Sequence, residues 1–297
     1  MKKNLKFKIS NFKFHFIAIP LLLIVFSVFV ARTIRTSVFL KNKDRVNVVF
    51  YGKESQFYSL DRTGELNYFI SFYPDLKVTV PGGYSQYRLG ALTKLVNLEK
   101  NPDMIRKTFS FMSSSFVDLY FYPKTTEIYF GKNNNEAVFF PKITNVLSLK
   151  SNANFFDRIY LLTIFLRKSI TKFTQISDFA QDFSDDFKAD QFAKDYQGNF
   201  YEKTYRNEGL NIQITYTNSY KTASSLSQII EGEGIRVADI NQEKNDGNCS
   251  LITNTKKTTE TAKIMQYFFN CRLVIGDTGP YDIIFKLGQR EKEWEIN

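Results

Sequence analysis

Histidine is almost absent from this chain, since His15 is the only one among 297 residues. It lies in an apolar N-terminal stretch, so the folded region has no imidazole for a Ser-His-Asp or Cys-His site or for a histidine-bound metal. The G-x-x-x-x-G-K-[ST] phosphate loop is also missing, and the Gly-Glu-Gly run at residues 232–234 follows a helical pattern and predicts a turn. Most hydrolase mechanisms and nucleotide-driven chemistry are therefore excluded.

Cysteine is scarce as well, and the two that occur, Cys249 and Cys271, flank one predicted helix near the C-terminus. If they end or open neighbouring strands, a disulfide closing about 22 residues would stabilise the fold by roughly 3 kcal/mol. Such a bridge requires an oxidising, extracytoplasmic compartment. The alternative is a pair of buried thiols in a reducing cytosol, and a metal site lacks further Cys or His ligands.

Acidic residues are nearly missing from the first 45 positions, which hold ten of the 40 basic residues and one of the 30 acidic residues. The remaining chain therefore carries 30 basic against 29 acidic side chains. Nucleic-acid binding depends on a basic surface that neutralises phosphates, so a nearly neutral folded region argues against it. The two basic clusters instead suit anionic lipid headgroups.

An uncharged run between those clusters, at residues 14–31, is long enough to cross a bilayer as a helix. We expect an uncleaved anchor, because Phe29 breaks the A-x-A-like pattern that a signal peptidase needs; a removed signal peptide is the alternative. Five basic residues on each side leave the orientation undecided by charge.

The pattern of apolar residues predicts an α/β protein with two domains after the anchor. Residues 46–176 mix strands with helices, and residues 209–297 alternate regularly as a small βαβ-βαβ module. We divide the chain into six parts: a basic cytoplasmic tail at 1–13, the transmembrane anchor at 14–31, a basic juxtamembrane linker at 32–45, the two domains, and a polar linker at 177–208 between them.

Short motifs along most of the chain resemble one family. They are NVVFYG at 47–52, ISFYPDLKV at 70–78, VPGGY at 80–84, VDLY at 117–120, FFDRI at 155–159 and DIIFKLG at 282–288. Together they are similar to the LytR-CpsA-Psr family of cell-envelope proteins, with the C-terminal domain often attached to them. The resemblance implies a single-pass protein of the bacterial cell membrane with a cytoplasmic N-terminus and extracytoplasmic domains.

The family's activity, as the resemblance implies it, is transfer of a glycopolymer from a polyprenyl-pyrophosphate lipid to the cell wall. That chemistry needs arginines on the pyrophosphate and acidic groups that hold Mg²⁺. The positions that match are Asp75, which would hold Mg²⁺, Arg88, Arg158 and Glu54. An expected arginine is replaced by Pro74, and other basic positions of the family pattern have no counterpart here.

These losses favour a degenerate member that binds a polyprenyl-linked glycan or peptidoglycan without efficient catalysis. The alternative is a divergent phosphotransferase that uses the four surviving residues around Mg²⁺. For each of the four, a turn cap, an ion pair or a solvated loop position is the competing structural interpretation.

Overall fold

The first helix of the molecule, α1 (Asn4–Thr36), covers the whole of the predicted anchor. The computed structural model describes residues 4–41, 43–62, 66–131, 140–176, 186–244, 247–254 and 258–296, with side chains from residue 20 onward. Within this described part, no helix is long and apolar enough to cross a membrane. Residues 14–19 of the predicted anchor lie outside the described side chains.

The chain enters the first domain directly after α1. Ser37, Val38 and Phe39 are buried, although they belong to the segment predicted as a juxtamembrane linker at 32–45. One carboxylate oxygen of Asp157 accepts hydrogen bonds from the Ser37 hydroxyl at 2.6 Å and from the backbone N–H groups of Val38 at 2.9 Å and Phe39 at 3.2 Å. This part of the segment is therefore packed protein, and it joins α1 to the domain without a spacer.

The first domain is built on a six-stranded mixed sheet of order β7-β6-β1-β2-β3-β8. Its strands are β1 (Arg45–Phe50), β2 (Ser55–Asp61), β3 (Asn67–Phe72), β6 (Leu119–Tyr122), β7 (Lys150–Ser151) and β8 (Phe173–Ile176), and a separate two-stranded ribbon contains β4 (Lys77–Thr79) and β5 (Gln86–Arg88). The central strand β1 pairs antiparallel with β2 and parallel with β6. Because side chains of β1 are buried on both faces, its sequence is a nearly continuous apolar run.

Helices cover both faces of this sheet, which confirms the predicted α/β layering. One face packs against α2 (Leu92–Leu98) and α3 (Asp103–Ser113), and the opposite face packs against α4 (Ile143–Ser148) and α5 (Phe155–Arg167). Successive strand residues point to opposite faces, so Val49 belongs to the first core and Val48 to the second.

The predicted connector at 177–208 contains two short helices in its described part, α6 (Ala189–Tyr196) and α7 (Lys203–Glu208). Its aromatic residues Phe192, Phe200 and Tyr205 are buried. The helices bury scattered aromatics that follow no fixed period, so their packing was not visible in the sequence pattern.

The second domain is a five-stranded sheet of order β10-β9-β13-β11-β12. Strands β9 and β10 pair parallel, as do β11 and β12, while β13 lies between the two pairs. The elements are β9 (Asn211–Tyr216), α8 (Tyr220–Gly232), β10 (Arg236–Gln242), β11 (Ser250–Thr253), α9 (Glu260–Phe269), β12 (Arg272–Ile275), β13 (Ile283–Lys286) and α10 (Arg290–Glu293). Two βαβ units are present, as the alternation of apolar residues predicts.

A disulfide joins Cys249 and Cys271, as predicted. Each cysteine immediately precedes one of two parallel neighbours, β11 and β12, whose register pairs Ser250 with Arg272. The cysteines are therefore side by side, with a Cα–Cα distance of 5.0 Å. Both are buried in the core of the second domain.

Replacing both cysteines by alanine should lower the free energy of unfolding by about 3 kcal/mol, because the bridge restricts the unfolded chain. Urea denaturation with and without dithiothreitol measures this loss. The reductant should destabilise the wild-type protein by the same amount and leave Cys249→Ala/Cys271→Ala unchanged. A wild-type protein that is indifferent to the reductant would contradict the prediction.

The two domains share a continuous core. Phe116, after α3, stacks on Phe268 of α9 with ring centroids 4.0 Å apart, and Phe111 of α3 contacts Trp294. The backbones also meet closely, because a Cβ on Gly232 would lie 1.6 Å from the carbonyl oxygen of Ser114. Glycine at this position is required for the domains to pack together.

Buried charges lie at the same junction. Lys43 forms an ion pair with Asp118 at 2.6 Å, and the backbone N–H of Phe116 donates a hydrogen bond to Glu233. A second buried carboxylate, Glu202, accepts hydrogen bonds from the backbone N–H groups of Asp44 and Arg45 at the start of β1. Burial raises the pKa of Glu233 to about 8, although the nearby Lys43 opposes the shift.

The junction should therefore weaken as the pH rises. The pKa of Glu233 is higher in the folded state than its usual 4.5, so its contribution is complete below about pH 4.5 and is lost as the pH rises through about 8. The folded region lacks histidine. Burial also raises the pKa of Glu202 at this junction, so Glu202 acts in the same direction as Glu233.

Glu233→Gln cannot ionise and should abolish most of this loss between pH 5.5 and 8.5, as measured by urea unfolding at several pH values. The matched control is Glu99→Gln on the exposed end of α2, which should keep the wild-type pH dependence. Parallel pH profiles for wild-type protein and Glu233→Gln would contradict the assignment.

Candidate functional site

A cavity of about 410 Å³ lies beyond the carboxyl ends of β1 and β6. Within the sheet, β2 is one neighbour of β1, and β6, which the chain forms later, is the other. Ligands of open α/β sheets commonly bind in the crevice outside the carboxyl ends of parallel strands, and β1 and β6 pair parallel. The lining residues are Phe50, Tyr51, Gly52, Lys53, Glu54, Pro123, Tyr129, Asn145 and Leu149.

The cavity wall is mainly aromatic and aliphatic, with few charged groups. Lys53 is exposed and Glu54 is half-buried, and these are the two charged side chains among the described lining residues. The Tyr51 hydroxyl donates a hydrogen bond to the Leu89 carbonyl at 2.9 Å. Burial raises the pKa of Tyr51 to about 12, so this phenol stays neutral at physiological pH.

Gly90 allows one wall of the cavity to close. Its N–H donates to the Pro74 carbonyl at 2.7 Å, and its carbonyl accepts the N–H of Tyr129 at 2.9 Å. A Cβ at this position would lie 2.3 Å from the Tyr129 carbonyl oxygen. Any residue with a side chain at this position would therefore displace the Tyr129 backbone or Pro74.

Asp75 and Arg88, two of the predicted site residues, contact each other. The distance from Asp75 Oδ1 to Arg88 Nη1 is 3.5 Å, and Asp75 Oδ2 accepts the N–H of Gly131 at 3.1 Å. The Arg88 guanidinium also lies over the Phe130 ring, 4.5 Å from its centroid. Asp75 and Arg88 therefore fix the position of Phe130 and Gly131, which directly follow the cavity residue Tyr129.

Arg158, the third predicted residue, caps the end of α4. Its guanidinium donates hydrogen bonds to the carbonyls of Val146, Leu147 and Leu149. Burial lowers its pKa from the ordinary arginine value. Because the last carbonyls of a helix lack intrahelical partners, this contact stabilises α4 and the Leu149 wall of the cavity.

Neither a protein-family model nor a curated protein matches the chain. Solved structures do match it, and three of them are LytR-CPS2A-psr proteins. A protein of that family, YwtF (TagT), solved with bound octaprenyl pyrophosphate lipid, is 14% identical over 53% of this chain and 91% of its own, with a TM-score of 0.34.

Two further matches are B. subtilis proteins with TM-scores of 0.24. TagT is 13% identical and covers 85% of this chain and 88% of its own. TagU is 12% identical and covers 76% of this chain and 95% of its own. These neighbours belong to the family that the sequence motifs resemble, and what this chain binds has to be judged from its own side chains.

Of the four residues predicted from the LytR-CpsA-Psr resemblance, Glu54 alone lines the cavity. Sequence reasoning did not find Tyr51, Tyr129 or Asn145, which reach the cavity from three separate parts of the chain. The one signal available was that Tyr51 directly follows a strand and precedes a glycine.

The described carboxylates do not fit a magnesium site. The two oxygens of Asp75 face Arg88 and the Gly131 N–H, which compete with a cation. Across the described ranges, no three acidic, histidine or cysteine side chains lie close enough together to hold a metal ion.

Arg158→Met should destabilise the protein by about 1–3 kcal/mol, because it leaves the α4 carbonyls without a charged donor. Chemical denaturation measures the loss. The matched control is Arg167→Met. Arg167 is exposed at the end of α5, the helix that also carries Arg158, and its replacement should change stability by about 0.5 kcal/mol or less. Equal effects of the two substitutions would show that the cap contributes nothing.

Proposed function

We propose that this protein is a membrane-anchored, extracytoplasmic cell-envelope protein that binds a polyprenyl-linked glycan or another cell-wall component without efficient phosphotransfer. The observation that carries the proposal is the cavity at the ends of β1 and β6, which combines an apolar and aromatic wall with a lysine at its edge. The ligand class is the one that the LytR-CpsA-Psr resemblance implies.

The lining supports binding of a ligand that has apolar and phosphate parts. Pro123 and Leu149 are half-buried and present apolar surface, and the half-buried Tyr129 adds a ring with a polar edge. Phe50 and Tyr51 are buried behind them. Lys53 supplies a compact positive charge that suits a phosphate. Such a site holds a lipid-linked sugar phosphate mainly through burial, with one charged contact.

The same geometry argues against efficient transfer. A leaving pyrophosphate needs several positive groups aimed at the charge that develops on it. Here Arg158 is engaged with backbone carbonyls and Arg88 with Asp75, while Pro74 stands at an arginine position of the family pattern. Of the four charges that remain in the family pattern, Asp75, Arg88 and Arg158 are therefore engaged in contacts that stabilise the fold.

The proposed location in the bacterial cell membrane is supported by α1 and by the disulfide. Large apolar side chains from Leu21 to Phe29 are exposed on all sides of α1. A helix that is apolar on all sides needs an apolar environment. A bilayer crossed by an anchor at residues 14–31 would provide this environment. The Cys249–Cys271 bridge suits an oxidising compartment outside the cytoplasm. The N-terminus would then be cytoplasmic.

A divergent phosphotransferase is the second candidate. Its support is the 3.5 Å distance between Asp75 and Arg88, a partly exposed pair at the edge of the loop that walls the cavity. If this loop opened on ligand binding, the pair would be released beside the phosphate end. Glu54 already lines the cavity. Asp75 could hold the Mg²⁺ that this chemistry needs only after its carboxylate has left Arg88 and the Gly131 N–H.

The two functions are separated by incubating the full-length protein in nanodiscs with a polyprenyl-pyrophosphate disaccharide, a peptidoglycan acceptor and Mg²⁺. Bound lipid and glycan product are both measured by mass spectrometry. We expect bound lipid without product. Product formation that Asp75→Ala abolishes would contradict the binding function and establish the transferase.

Lys53→Ala should weaken lipid binding about tenfold, since a charge-assisted contact contributes on the order of 1.4 kcal/mol. Lys94→Ala, on the exposed face of α2, is the control and should bind as the wild-type protein does. Unchanged affinity in Lys53→Ala would place the phosphate elsewhere.

A further inference from the structure

The outer face of the α4–α5 pair is apolar and exposed. On α5, Phe155, Ile159 and Leu166 follow at intervals of four and seven residues and are 60%, 42% and 68% exposed. These intervals place them on one side of the helix, opposite Leu161 and Phe165, which are buried against the sheet. Ordinary surface helices expose polar residues on the face opposite the core.

Exposed apolar residues also occur on α4, which contacts α5 and packs on the same face of the sheet. Ile143 and Leu147 are four residues apart on this helix and are both exposed. Arg158 of α5 holds the end of α4 through backbone carbonyls, so the two helices keep a fixed relation. We call the surface formed by Ile143, Leu147, Phe155, Ile159 and Leu166 the outer face.

This part of the chain is strongly basic, in contrast to the nearly neutral remainder. Residues 140–172 contain six basic side chains and one acidic side chain, Asp157. Asp157 is buried and its carboxylate accepts hydrogen bonds from the segment after α1. The surface around the outer face therefore presents positive charge next to apolar groups, the combination that binds anionic lipid surfaces.

The outer face begins beside the end of α1. The side-chain amide of Asn154, the residue before Phe155, donates to the Thr33 carbonyl at 2.8 Å and to the Thr36 hydroxyl at 3.2 Å. Thr33 follows Ala31, the last residue of the predicted anchor, by two positions, which is roughly 3 Å along a helix. Phe155 thus starts within about one to two turns of the apolar run.

We propose that the outer face of α4 and α5 lies on the membrane and contacts anionic phospholipids at the headgroup and upper acyl-chain level. The inference rests on the proposed anchor in α1. Three observations carry it together: the continuity of the face with α1, the absence of a spacer at residues 37–39, and the local excess of positive charge.

This contact orients the candidate cavity. Asn145 and Leu149 of the α4 segment line the cavity, while Ile143 and Leu147 of the same helix belong to the outer face. The helix α4 therefore separates the cavity from the bilayer by its own width. A prenyl chain that leaves the bilayer past α4 would enter the cavity along its apolar wall, with the phosphate end at Lys53.

Tryptophan placed on the outer face tests the contact. Leu166→Trp and Ile159→Trp are made in the full-length protein, which is reconstituted into phosphatidylglycerol–phosphatidylcholine liposomes that carry brominated acyl chains. The matched control is Leu98→Trp, an exposed leucine on α2 at the opposite face of the sheet. The native Trp294 is buried, and its signal is subtracted using the wild-type protein.

We expect bromine quenching of Leu166→Trp and Ile159→Trp to exceed that of Leu98→Trp on the order of threefold, because interfacial groups lie about 5–10 Å into the bilayer boundary. Equal quenching of all three variants overturns the inference. A face covered by a second copy of the chain also overturns it, and is recognised as a dimer in detergent together with unquenched tryptophans.

Failure of the anchor is distinguished by extraction of the same liposomes with alkaline carbonate. A wild-type protein released by carbonate is not anchored, which overturns both the anchor and the membrane contact. A protein that resists carbonate but shows no preferential quenching keeps the proposed anchor and loses the contact alone.

Discussion

The parallel pairing of β1 with β6 is the interaction on which the rest of the first domain depends. It brings two strand ends to the same edge of the sheet, and the candidate cavity lies beyond them. It also decides which helices cover each face, because α2 and α3 precede β6 in the chain, whereas α4 and α5 follow it. The outer face and the cavity are therefore neighbours through α4.

Several charged residues around the candidate site hold neighbouring segments of the first domain together. Asp157 binds the segment that follows α1, Arg158 binds the end of α4, and the Asp75–Arg88 pair holds the loop after Tyr129. A buried or half-buried charge is stable only when it is paired or hydrogen-bonded, so these contacts occupy groups that phosphotransfer would need. The chain can therefore carry motifs that resemble the LytR-CpsA-Psr family while its candidate cavity contains few charged side chains.

The elements of the second domain were predictable because their signals are local. Apolar spacing distinguishes α8 and α9 from the strands around them, and two cysteines at the starts of parallel strands become neighbours by register alone. The helices α6 and α7 were not predicted, because Phe192, Phe200 and Tyr205 are buried by partners that are distant in sequence. The cavity residues Tyr129 and Asn145 were missed for the same reason.

The sequence by itself determined the α/β class, the apolar run at 14–31, the pair of cysteines, the absence of histidine chemistry and the local excess of basic residues. These properties depend on composition and on short-range periodicity, which need no partner to be read. Only the tertiary structure decided that Asp75, Arg88 and Arg158 are engaged in contacts within the fold, and that the end of α1 contacts the start of α5. Such contacts depend on residues up to about 120 positions apart, whose proximity arises from the packing of whole elements.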